Sequence, residues 1–353
     1  MQPDIYAEAS RQLQLCNACR YCEGYCAVWE ALDRRNEIGR NDILYFSSLC
    51  HDCGQCYTVC PFTEPHEYAL NIPKALGSVR LDSYSVNIWP GFLKGLIKFP
   101  SLFTSIILAL SMTSTFLFVL ITKGTLTGSL TFSQVISPFD YRLATLSIYS
   151  FVLVLWVIEG HRYWSQINIG TKQKTGLSAI FGGLSDAFGH ENFKGGGAGC
   201  TYPDSRRKSF RLIFHPMVLF GFLIALVSIS FYPAFGLPFR ILYLIGSAMM
   251  FFGSAGLMYG RTLYDRTRET PGMIRIDFPF TLLLNLGGLT GIVLVVFYGS
   301  GFDWSVFLIH DALIFTLFLL APFGKFIHPL FRILALVKNR AERNIDDGPL
   351  SHT

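Results

Sequence analysis

Residues 15–32 read LCNACRYCEGYCAVWEAL, and residues 49–62 read LCHDCGQCYTVCPF. Each stretch holds four cysteines spaced C-x2-C-x2-C-x3-C: Cys16, Cys19, Cys22 and Cys26, then Cys50, Cys53, Cys56 and Cys60. Two tight turns in such a run bring three thiolates onto one face of a [4Fe–4S] cubane. Zinc sites use two CxxC pairs set well apart and do not call for a third cysteine at the next three-residue step. A disulfide framework needs an oxidising compartment, and the N-terminus carries no signal-peptide pattern.

The spacing matches a bacterial two-cluster ferredoxin, in which the fourth cysteine of each run reaches across to the other cluster. One cluster is therefore expected on Cys16, Cys19, Cys22 and Cys60. The other is expected on Cys50, Cys53, Cys56 and Cys26. Pro61 follows the second run; the first has Ala27 there, which removes no ligand. Such clusters carry electrons singly and do no bond chemistry of their own.

Composition changes sharply after about residue 90. Over the whole chain 51% of residues are hydrophobic and 15% charged, with 32 Phe and a mean hydropathy of +0.40. Residues 1–90 hold the cysteine runs and read as a cytosolic iron–sulfur domain. Residues 91–345 read as a six-span transmembrane domain, with spans at Ser101–Thr122, Leu143–Ile158, Leu212–Tyr232, Ile241–Gly260, Phe278–Tyr298 and Trp304–Gly324. Ser101–Thr122 has no charge and is long enough to cross a hydrocarbon core of about 30 Å. So many apolar stretches do not suit a soluble protein.

Loop charge sets the expected orientation. Arg162, Lys172, Lys174, Lys194, Arg206, Arg207, Lys208 and Arg211 fall between spans two and three. Arg261–Arg275 and the tail (Lys325, Arg332, Lys338, Arg340, Arg343) are also basic, whereas the opposite loops hold only Lys123, Arg142 and Arg240. Both termini are thus expected in the cytoplasm. The net charge of +5 reads as topology, not nucleic-acid binding. Gly91–Phe99, with Lys94 and Lys98 one turn apart, fits an interfacial segment or the cytosolic end of the first span. GxxxG occurs at Gly256–Gly260 and Gly287–Gly291, permitting close helix packing. The glycines at 195–197 and 199 match no phosphate loop. No Ser/His/Asp or paired-carboxylate arrangement suggests a catalytic site.

Histidines carry the remaining chemistry, because ionisable residues in spans are costly and usually functional. Facing imidazoles from two helices can hold a b-type haem. His215 and His328 fall at similar depth on the cytosolic side and are the expected haem ligands, with one haem b. His161 is a reserve partner in an interfacial cluster. His310 is a candidate for a further haem, quinone or water contact. It stands 18 residues before His328, which on one continuous helix puts both on one face about 27 Å apart.

The chain resembles the tricarballylate or citrate utilisation protein B group of bacterial membrane electron-transfer proteins. The resemblance rests on the two cysteine runs, NIPKALGSVRLDSY (71–84), GGGAGCTYP (195–203), RRKSFRLIFHPMVLFGF (206–222) and HDALIFTLFLLAPFGKFIHPLFR (310–332). The last segment also resembles the final helix of nitrate-reductase-type cytochrome b subunits; their second His pair is missing here. The group's pattern covers the eight cysteines, His215, His310 and His328, but not His161. It includes Cys200, for which a buried structural thiol is the default. The resemblance implies a partner: a soluble flavoprotein dehydrogenase that oxidises a tricarboxylate and is left with reduced FAD. This chain would reoxidise that FAD through clusters and haem and pass electrons to membrane quinone. The rival reading reverses the flow, from quinol to a cytosolic nitrate- or heterodisulfide-type reductase. A transporter would call for an inverted repeat or broken-helix pattern, and none is detected.

Overall fold

The computed structural model describes residues 4–123, 137–169, 175–190, 205–230, 236–263, 267, 269–300 and 303–346. Cys200 and the glycines at 195–199 lie outside them, as do Lys172, Lys174 and Lys194. The described chain is helical, with no strand among the described residues.

The cysteine-rich part is built from α1 (Ile5–Cys19), α2 (Ala27–Asp33), α3 (Arg40–Leu49), α4 (Gln55–Thr58) and α5 (Ile72–Asn87). Asp4 caps α1 by accepting from the Tyr6 N–H, and Asn71 caps α5 by accepting from the Lys74 N–H, each satisfying an otherwise orphaned donor. Leu13, Tyr45, Phe46, Leu49 and Leu76 are fully buried among these helices. Tyr6 ties α1 to α5 through Asp82, 2.9 Å from its hydroxyl.

The second part contains α6 (Pro100–Lys123), α7 (Pro138–Ile167), α8 (Leu177–Phe188), α9 (Ser205–Ser230), α10 (Leu237–Thr262), α11 (Pro271–Val296), α12 (Asp303–Leu319) and α13 (His328–Asp346). Five helices are long and apolar enough to cross a membrane: Pro100–Ile121, Phe139–Ile167, Arg211–Ile229, Leu237–Thr262 and Pro271–Val296. Their outward faces carry bare apolar side chains; on α6, Leu102, Ile106, Leu110 and Ile121 are all exposed, as a lipid-facing stripe requires. Glycines bring the helices close. A Cβ at Gly256 would fall 2.4 Å from the Phe214 ring, and one at Gly291 would fall 2.5 Å from the Ser247 hydroxyl. Gly91–Lys98 forms a 3-10 helix that buries Ile97 and leaves Phe92 exposed.

Two expectations need correction. The sixth span does not run to Gly324: its helix stops at Leu319, and two short 3-10 turns, Ala321–Phe323 and Lys325–Ile327, follow. Pro322 lacks the donor a continuing helix needs, and Gly324 takes an extended conformation, so the ladder stops there. His310 and His328 are consequently on separate helices and share no face. The spans also differ in extent. The second, expected at Leu143–Ile158, runs on to Ile167, so His161 lies within α7 rather than at its end.

The helix after the break, α13, joins the two parts. Phe331 on α13 stacks on Tyr163 of α7 at 4.2 Å, nearly parallel, and both belong to one buried cluster with Tyr45, Leu49, Leu76 and Tyr84. Arg35 bridges Asp42 and Glu342 at 2.7 and 2.6 Å, and Arg343 pairs with Glu30. On its other side Arg340 makes a two-point contact with Asp186 of α8. The cysteine-rich part is therefore packed onto the helices through a shared core.

Candidate cluster and haem centre

Local backbone explains why the cysteines converge. Cys16 and Cys19 end α1, and Arg20 caps it in the left-handed conformation, its N–H returning to the Cys16 carbonyl. Cys26 stands at the N-cap of α2, and Cys50 at the C-cap of α3. Two left-handed residues, Asp52 (φ 58°) and Gly54 (φ 72°), then turn the chain tightly around Cys53 and into α4, which carries Cys56. Backbone N–H groups of Asp52 and Phe62 donate to the sulfurs of Cys50 and Cys60, both at 3.4 Å. Such bonds stabilise negative sulfur.

The thiols perturb one another in two sets. Burial, then Cys60, Cys22 and Cys19, push Cys16 up to about 12; burial, with a contribution from Cys19, raises Cys60. Burial, then Cys53 and Cys50, raise Cys26. Cys56 is raised by burial and by Cys53, Cys50 and Cys26, with Cys22 last. Cys60 thus stands with the first run and Cys26 with the second. All eight are thiols rather than disulfides. Cys16, Cys26, Cys53, Cys56 and Cys60 thus resist losing their protons, and only a strongly cationic group would hold them as thiolates. Among the described residues, no three His, Cys, Asp or Glu side chains converge closely enough for a single metal ion. A cubane spreads its four thiolates wider than one ion does, and the donor set fits it.

Three guanidiniums grip the loop that carries Cys50 and Cys53. Arg80 of α5, 6% exposed, donates to the Ser47 and Cys50 carbonyls at 2.7 and 2.6 Å. Arg332 of α13 donates to the Ser48 and Leu49 carbonyls at 3.2 and 3.1 Å. Arg211 of α9 donates to the His51 and Asp52 carbonyls at 2.9 and 2.7 Å. Burial and the nearby Arg80 bring Arg332 down to about 10, with the sulfurs of Cys50 and Cys26 pulling the other way. Positive charge fixed beside a cluster favours its reduced state.

His215 stands one turn beyond Arg211, and His328 one turn before Arg332. Each helix that clamps the loop therefore also presents a histidine. The two rings lie 6.4 Å apart between centroids, nearly perpendicular. Their proton positions follow from their neighbours. Nδ1–H of His190 donates to the Phe188 carbonyl at 2.9 Å, so its Nε2 accepts from Nδ1–H of His215 at 3.0 Å. Nδ1–H of His328 donates to the Lys325 carbonyl at 2.7 Å. Nε2 of His215 and of His328 is then the nitrogen that carries the lone pair, and a second hydrogen bond at Nδ1 is the usual arrangement for metal-ligating histidine. Burial, with Lys325 nearby, pushes His328 down to about 3, so its imidazole is neutral at pH 7. Two imidazoles bound across one metal at about 2 Å would have centroids about 6 Å apart. The pair fits a haem.

Comparison with known proteins matches the cysteine-rich part and the helical part to two family models. Residues 9–86 match the family model described as the citrate utilization protein B Fer4-like domain. Residues 99–348 match the model described as citrate utilization protein B. The chain belongs to the citrate utilization protein B family. It is 32% identical to the citrate utilization protein B of Escherichia coli, over 96% of this chain and 92% of that protein. No solved structure matches.

The remaining candidates of this family member lie apart from the pair. His161 is exposed on α7. His310 is buried in α12 between the Tyr243 hydroxyl at 2.6 Å and the Thr290 hydroxyl at 2.8 Å. Sequence reasoning missed His190, which lies in a loop with no periodicity to mark it. It also counted Arg211 and Arg332 as topology signals, although their side chains bind the cluster loop.

Proposed function

We propose that this chain is a membrane electron-transfer protein. It reoxidises the reduced FAD of a partner tricarballylate- or citrate-type dehydrogenase and passes the electrons to the quinone pool. Two [4Fe–4S] clusters would be held by Cys16, Cys19, Cys22, Cys60 and by Cys50, Cys53, Cys56, Cys26, and one haem b by His215 and His328. When bound, these groups supply one-electron transfer. The chain's own side chains do the rest: thiols bind, Arg80, Arg211 and Arg332 fix the second cluster's loop and charge, and His190 orients His215.

The observation that carries this reading is the one-turn spacing of Arg211 from His215 and of His328 from Arg332. It puts the His pair beside the loop of Cys50 and Cys53, as an electron relay requires. Basic loops and tail support a topology with both termini in the cytoplasm, where a soluble donor can dock on residues 1–90. The apolar α12 would complete a six-helix cytochrome b-like bundle as a short, partly embedded segment.

Inverted vesicles test the function. The flavoprotein partner and its tricarboxylate substrate are expected to reduce the haem and then quinone, and removal of either cluster should stop electrons at the flavin. If quinone reoxidises the flavoprotein equally fast without this protein, or only quinol reduces the haem, the assigned direction is wrong.

A further inference from the structure

A second polar site lies among the helices, apart from the cysteines. Segments of α7, α9, α10, α11 and α12 line a partly open cavity, whose empty space together with the solvent at its mouth is about 580 Å3. Its wall is largely aromatic and aliphatic, with Tyr141, Tyr149, Tyr243, His310 and Asp311 among the polar groups. Asp311 is 3% exposed, and no hydrogen bond or ion pair reaches its carboxyl group among the described residues. An ionisable side chain in such surroundings is costly and is kept where a proton or ion is handled. Among the described residues no Lys or Arg lines the cavity, which disfavours an anionic ligand, and a lone carboxyl group makes a poor cation cage.

Beside Asp311 the hydrogen bonds run in one direction. The Thr290 hydroxyl donates to the Leu286 carbonyl at 2.7 Å, so it accepts from Nδ1–H of His310. Nε2 of His310 then accepts from the Tyr243 hydroxyl. The cavity thus offers a phenol and a carboxyl group against aromatic walls, which suits a flat, neutral ring with carbonyl oxygens. Packed rings also lead from the haem-ligand pair to this wall. His328 lies 6.2 Å from Phe280, Phe280 5.4 Å from Phe326, and Phe326 5.4 Å from Phe222, and Phe222 lines the cavity.

We propose that this cavity binds a para-quinone, with Asp311 as the proton donor to one ring oxygen and Tyr243 to the other. This rests on the electron-transfer reading above. The quinone takes two electrons, delivered singly by the reduced protein. It also takes two protons, one from the Asp311 carboxylic acid and one from the Tyr243 hydroxyl, which leaves Nε2 of His310 and turns to the ring oxygen. Both carbonyls become hydroxyls, and each donor regains its proton from water at the cavity mouth.

The test uses full-length protein in liposomes, reduced anaerobically with dithionite, freed of excess reductant, and mixed with decylubiquinone. Reoxidation is followed optically, and iron and haem content are measured beside it. Asp311→Asn is expected to slow reoxidation about a hundredfold with iron and haem unchanged, and Tyr243→Phe to slow it less. Wild-type rates in both variants overturn the proposal, as does loss of haem absorbance in either, which would make the cavity a haem pocket. If Asp311→Asn does not assemble, Tyr243→Phe decides alone, and an unchanged rate there overturns the site. Because dithionite replaces the donor, the two readings fail differently. Protein that reduces decylubiquinone here but accepts nothing from a flavoprotein loses its proposed donor and keeps this site. Wild-type protein that cannot reduce decylubiquinone loses both.

Discussion

The loop at Cys50 and the cavity at Asp311 are built on opposite rules. Around the loop, three guanidiniums, buried at Arg80 and half-buried at Arg211 and Arg332, each find two carbonyl acceptors. In the cavity the buried carboxyl group of Asp311 has no such partner among the described residues. A site that only passes electrons gains from fixed, fully satisfied charge, because reorganisation around it is small. A site that exchanges protons needs a group whose hydrogen-bonding capacity is left for the ligand. The contrast can be broken or sharpened by substitution, beginning with the changes of largest effect.

Removing thiolates should act most strongly and should sort by set. Anaerobically purified protein is expected to hold about eight cubane irons. Cys53→Ser and Cys26→Ser should each lose about four of them and the same EPR signal, while Cys19→Ser and Cys60→Ser lose the other. If Cys26→Ser damages the cluster of Cys19 instead, the crossing of the fourth cysteines is wrong. Next come the histidines. His215→Ala and His328→Ala should each abolish a low-spin b-type spectrum, and His161→Ala should leave it in place. An unchanged spectrum in both of the first two would remove the haem assignment.

A smaller effect is expected from His190→Ala. Nδ1–H of His215 would lose its acceptor and the imidazole would become a weaker donor. The haem should survive with a midpoint potential raised by tens of millivolts in a redox titration; an unchanged potential would make His190 a packing residue only. Arg80→Gln should be gentler on the cofactors. Losing one positive charge should lower the potential of the Cys50/Cys53 cluster while leaving that of the other nearly unmoved. Orphaning the Ser47 or Cys50 carbonyl should cost about 1–3 kcal/mol of stability each, read as a lower Tm. Equal shifts in both clusters would show that the guanidinium acts through the whole fold.

What could be read from the sequence follows from the range of each signal. Cysteine spacing is local, so the turns that present the thiols are implied by it. Apolar runs long enough to cross a membrane are likewise local, and five of the expected spans correspond to such helices. The sixth misled because hydropathy treats Pro322 and Gly324 as ordinary members of an apolar run, although one lacks a donor and the other extends the chain. That break decides whether His310 and His328 share a face. His190 was hidden because its meaning depends on Phe188 on one side and His215 on the other, a contact between distant segments. Arg211 and Arg332 were visible only as charges, since nothing in their neighbours tells that carbonyls 48–52 lie opposite.

The pairing of Arg211 with His215 and of His328 with Arg332 has a mechanical consequence. One end of a single helical turn is pinned to the loop of Cys50 and Cys53, and the other end bears the histidine. A turn of α-helix is about 5.4 Å long and scarcely stretches, and two such spacers, on α9 and α13, act in parallel. When the membrane thickens, or a docking partner pushes on residues 1–90, the two terminals move together and the gap between them keeps its width. In the proposed relay, tunnelling rates would fall steeply with that gap, so the junction would be set by the pitch of a helix and not by how tightly two domains happen to press together.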